Sequence, residues 1–142
     1  MVELTTIEII YRLILGTIIG AIIGAERSFF HKQAGLRTFA LVSLGATLFS
    51  IIALNFNQDS TSRILANIVM GIGFLGGGLI YFYQEKLQGI TTAAALWVTA
   101  AIGAAIGQGY YLEVFVSSIL VLLVLSFLPF IERKITNERS NN

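Results

Sequence analysis

Five long apolar stretches, separated by short polar breaks, commit this chain to a bilayer. They run from Ile7 to Ala25, Thr38 to Phe56, Ile64 to Tyr83, Ile90 to Leu112 and Val114 to Ile131. As a helix each is long enough to cross a hydrocarbon core of ~30 Å, which takes about 20 residues. The expected fold is an all-α membrane protein of about five transmembrane helices, residues 1–132, followed by a short polar tail, residues 133–142. Hydrophobic residues make up 56% of the chain and charged residues 12%, against about a quarter charged in soluble domains. The absence of cysteine removes disulfides, thiolate metal sites and thiol nucleophiles together.

The first stretch does not read as a cleavable signal, because its leading residues are acidic (Glu3, Glu8) and its basic residues follow the apolar run. Basic residues gather in the first connection (Arg27, Lys32, Arg37), the third (Lys86) and the tail (Arg133, Lys134, Arg139), leaving Arg12 and Arg63 for the other side. The positive-inside rule then predicts the N-terminus outside and the C-terminus in the cytoplasm. Five crossings put those ends on opposite faces, as required.

Fourteen glycines would weaken soluble helices, but in lipid they let backbones approach. Gly16, Gly20 and Gly24 recur every four residues, as do Gly73 with Gly77 and Gly103 with Gly107, so these positions are expected to carry helix packing. The fifth stretch is bulky instead and is expected to face lipid or a partner. A formal GxGxxG at Gly71, Gly73 and Gly76 lies mid-span without the strand, helix start and later acid of a dinucleotide site. Packing or a break in the helix explains it better.

Catalytic chemistry is hard to place. Span interiors offer Ser43, Thr47, Ser50, Asn67, Thr91, Thr92 and Thr99, with Asn55 and Gln108 near the ends. Such hydroxyls mostly bond their own or a neighbouring backbone. His31 is the only histidine and lies in a basic connection, so no histidine metal cluster forms. No enzyme activity, cofactor, metal or nucleic-acid partner is expected. Glu8 and Arg12, four residues apart, have the order of a helical ion pair. Asp59 and Arg63 share that spacing, and Asp59 to Ser62 resembles a helix cap.

The first connection, GAERSFFHKQAGLRTFALVSLGA from Gly24, is the densest polar feature. Positive charge beside Phe29 and Phe30 suits a headgroup region. The AGLRT string is more particular than anchoring requires, and Arg37 is expected to make a fixed, bidentate bond, with Glu26 as its partner.

Four long motifs in order resemble the membrane domain of the MgtC/SapB proteins. They are RLILGTIIGAIIGAER from Arg12, KQAGLRTFALVSLGATL from Lys32, SRILANIVMGIGFLGGGLI from Ser62 and QGITTAAALWVTAAIGAAIGQGYY from Gln88. The resemblance implies a bacterial inner-membrane protein of about five helices, linked to adaptation to low magnesium and, in pathogens, to survival inside host cells. It does not imply magnesium transport. Matching charged positions make Arg12, Glu26, Arg27, Lys32, Arg37, Asp59 and Arg63 the functional candidates. Gln33 stands where the family usually has proline and Gly77 where alanine is usual, and many members continue into a cytoplasmic regulatory domain. The expected role is regulation of, or packing with, another membrane-protein partner, or a homo-oligomer. The alternative is a small ion channel or carrier along the glycine-rich helices.

Overall fold

The computed structural model describes residues 4–140 and, at 133 and 136–140, the backbone alone. Glu3 and the side chains of Arg133, Glu138 and Arg139, counted above for charge, lie outside the described residues. The elements are α1 (Thr6–Phe29), α2 (Leu36–Ala53), α3 (Gln58–Gly78), a hairpin of β1 (Tyr81–Tyr83) and β2 (Lys86–Gln88), α4 (Ile90–Gln108) and α5 (Tyr111–Ser140). Five helices thus stand on the five apolar stretches. Four of them, α1, α2, α4 and α5, are long and apolar enough to cross a membrane. The chain is a multi-pass membrane protein.

Helix α1 begins at a capping box: Thr5 accepts from the Glu8 N–H while the Glu8 carboxylate accepts from the Thr5 N–H at 2.8 Å. Its buried residues, Arg12, Gly16, Gly20, Ile23, Gly24 and Arg27, form one stripe at spacings of three and four. Ile10, Ile14, Ile18 and Ile22 lie exposed on the opposite side, as a lipid-facing surface should. The stripe packs on α2 at backbone distance. A Cβ on Gly20 would stand 2.6 Å from Phe39 O, and one on Gly24 2.8 Å from the Leu36 Cα.

Helix α4 meets another side of α2 in the same way. A Cβ on Gly107 would come within 2.6 Å of Thr47 O, and one on Gly103 would collide with Ser43 O. Ser43, Thr47 and Ser50 of α2 are thereby sealed between two glycine faces and are fully buried. Gly16 belongs to the same contact, opposite the Thr47 hydroxyl. Large side chains such as Ile23, Phe39, Leu96, Ile102 and Ile106 complete the core, which Val114 and Leu125 of α5 extend.

Helix α3 departs from expectation. Among its residues only Gly76 is buried, and Gly73 and Gly77 meet nothing within 4 Å. The anticipated packing of that pair does not occur within the chain. Asp59 and Arg63 near its start, Asn67 at its middle and three glycines at its end leave it without a stretch as apolar as those of the other four helices. Its N-cap is Asn57, whose side chain accepts from the Ser60 N–H at 2.9 Å, so the cap falls two residues before Asp59. The apolar run also ends earlier than Tyr83, because Tyr81–Tyr83 pairs antiparallel with Lys86–Gln88. Gln84 and Glu85 in the two-residue turn both have positive φ, at 48° and 62°, as a type I′ hairpin turn requires. Gly109, at φ 86°, ends α4 and turns the chain straight into α5. Helix α5 continues past Glu132 to Ser140.

Candidate functional site

The candidate residues separate by burial. Arg12 is 8% exposed and Arg27 3%, whereas Lys32, Arg37, Asp59 and Arg63 are exposed. A buried guanidinium in a membrane protein needs partners, because desolvating an unpaired charge costs several kcal/mol (roughly 3 or more on insertion scales).

Arg27 finds two. Its Nε and Nη2 donate to the two Glu26 carboxylate oxygens, the second at 2.6 Å, in a fork on a fork. Nη2 also reaches Leu125 O of α5 at 3.3 Å. That carbonyl is available for a covalent reason. Pro129 lies inside α5, four residues on, and has no N–H to give it. A proline in one helix therefore creates the acceptor that an arginine in another fills.

Arg12 repeats the device at the other end of α1. Its Nη1 donates at 2.6 Å to Gly107 O, one of the last carbonyls of α4, which have no partner further along their own helix. The cation also sits at the negative end of the α4 dipole. Its guanidinium carbon is 6.0 Å from the centre of the Tyr111 ring, and its Nη2 lies 3.2 Å from where a Gly109 Cβ would be, so a side chain there would crowd it. The Nε of Arg12 and the Ser43 hydroxyl are buried without a partner among the described residues.

Other helix ends are closed likewise. Gln108 Nε2 donates to Ser50 O at 3.0 Å, and Thr61 Oγ1 to Ala53 O at 2.7 Å, both in the last turn of α2. Within the contact, Thr47 Oγ1 donates to Ser43 O at 2.8 Å or Gly103 O at 2.9 Å, and Ser50 Oγ to Ala104 O at 2.7 Å.

Two expected pairings are corrected. Arg37 does not meet Glu26, which Arg27 occupies; it stands exposed in the first turn of α2. Glu8 is held by Thr5 and makes no ion pair with Arg12, which turns inward to α4. The AGLRT string has its own local explanation: Ala34 is buried, and the Ser28 hydroxyl accepts from the Leu36 N–H at 2.9 Å, close against Gly35. Sequence reasoning missed Gln33, which donates to Tyr81 Oη at 3.2 Å and accepts from Thr92 at 3.3 Å. It thereby ties the first connection to the hairpin and to the start of α4. Thr47 and Ser50 bond backbone carbonyls as their place in the span suggested, but the bonds to Gly103 O and Ala104 O cross to α4 opposite its glycine repeat.

The MgtC family pattern matches residues 13–134. This chain belongs to the MgtC family. Protein MgtC of Salmonella typhimurium (strain LT2) is 42% identical over 113 residues, which are 80% of this chain and 49% of that protein. A Synechocystis protein, slr0014, is 44% identical over 117 residues, 82% of this chain and 50% of its own. The Escherichia coli K12 protein named "Putative magnesium transporter YhiD" is 43% identical over 129 residues, 84% of this chain and 60% of its own. The chain thus spans about half the length of the first two and somewhat more of the third. No solved structure matches it.

Proposed function

We propose that this MgtC-family chain acts in the bacterial inner membrane in adaptation to low magnesium, as a non-catalytic protein that regulates or packs with another membrane assembly. The observation that carries this reading is where the buried charge goes. Arg12 and Arg27 bind the carbonyls of Gly107 and Leu125 and the carboxylate of Glu26, so they hold helices together rather than face a solute. Membership in the family supplies the link to magnesium. The basic end, where Arg27, Lys32, Arg37 and Lys86 cluster around the start of α2 and the hairpin, lies in the cytoplasm, and the N-terminus of α1 lies outside.

A second reading, a small magnesium carrier, draws on the name of YhiD and on a cavity of about 540 Å³ between α2 and α3, lined by Asn67, Gly45 and Gly71. Magnesium takes six oxygen ligands in near-octahedral order, and this lining is mostly aliphatic. Deleting the gene should slow growth in magnesium-poor medium only. The purified chain in liposomes should pass no magnesium to an internal indicator. Magnesium flux that Asn67→Ala abolishes would replace regulation by transport.

A further inference from the structure

The outward side of α3 is the part of this bundle that lipid suits worst. Asn67 lies exposed halfway along the helix, Arg63 one turn before it and Gly71, Gly77 and Gly78 beyond it. A membrane-facing amide leaves its donors and acceptors unpaired in hydrocarbon, and glycines bare the backbone beside it. Such a surface is built for another helix.

The surface also matches itself. Met70 and Phe74 project from it, 74% and 85% exposed. Beside them runs the groove of about 540 Å³ between α2 and α3, whose lining includes Gly71 and Leu75, the chain neighbours of Met70 and Phe74, with Gly45 and Leu41 across it on α2. Knob and hole are neighbours on one face, which is what a two-fold contact needs, since each copy must offer both. Polarity follows the same rule. An asparagine amide is donor and acceptor at once and pairs with its own image. Asp59 and Arg63, which have no ion pair within the described chain, supply the acid and the base that each copy would find on the other.

We infer that this face binds a second copy of the chain across a two-fold axis along the membrane normal. In this dimer α3 lies beside α3, Phe74 enters the partner groove and Asn67 pairs near the axis. The inference is independent of the leading reading, which rests on Arg12 and Arg27 and not on the α2–α3 face.

Because the chain has no cysteine, single-cysteine variants give a clean test in native membranes. Asn67→Cys and Met70→Cys should form a disulfide-linked species of twice the chain mass on mild oxidation, while Leu123→Cys on exposed α5 should not. The unsubstituted chain in native nanodiscs should have the mass of two copies, and Gly71→Leu should lower that dimer fraction at least several-fold at unchanged abundance. A monomeric mass for the unsubstituted chain would overturn the inference. So would crosslinks from position 67 to a protein of another mass, or equal crosslinking from position 123.

Discussion

At the scale of single residues, hydroxyls and glycines act as pairs across helix contacts. Thr47→Val keeps the shape of a fully buried side chain but removes its donor to Gly103 O. The expected loss is about 0.6 kcal/mol, the mean for hydrogen bonds inside membrane proteins, read as a lower denaturant midpoint in detergent. Gly20→Ala has no room, with Phe39 O 2.6 Å from the added carbon, and should cost about 1–3 kcal/mol in the same assay. Gly77→Ala, with open space around it and alanine the better helix former, should not lower the midpoint. Equal effects at positions 20 and 77 would mean that α1 and α2 are not in contact. The arginine partners were the least legible residues in the sequence. Side chains one apart do not normally face each other on a helix, so Glu26 pointed toward Arg37 and not toward its neighbour Arg27. Nothing local links Arg12 to a carbonyl 95 residues away.

Among the elements, α1, α2, α4 and α5 were readable because the length of an apolar run is what a bilayer selects. The hairpin was hidden for a physical reason. Leu79 to Tyr83 extends the apolar run of α3, while the turn at Gln84 and Glu85 has positive φ without the glycine or asparagine that normally signals it. Replacing the pair by Asn-Gly should therefore relieve the backbone there. Gln84→Asn with Glu85→Gly is expected to slow proteolysis at the hairpin without altering membrane abundance, and faster cleavage would show that the turn is of another type. Glycine repeats were likewise readable only in part. Those of α1 and α4 meet α2, whereas the repeat of α3 faces outward, a difference set by which neighbour each helix has and not by spacing.

At the scale of the whole molecule, the chain is a bundle clasped at both ends from α1, by Arg12 on α4 and by Arg27 on α5. The proposed orientation rests on the basic residues gathered at the end that carries Arg27. A phosphatase reporter, active only outside the cytoplasm, should be inactive when fused after Asn142, and an active fusion would reverse the topology. The charged positions shared with the family motifs therefore divide into buried clasps and exposed surface, which is the central claim. It is tested most directly by the thermal midpoints of Arg27→Lys and Arg37→Lys measured side by side in one detergent. Lysine cannot reproduce the forked bond to Glu26 together with the bond to Leu125 O, so Arg27→Lys should lose about 1–3 kcal/mol. Arg37→Lys should melt with the unsubstituted chain. A stable Arg27→Lys beside an unstable Arg37→Lys would contradict the account and return Glu26 to Arg37.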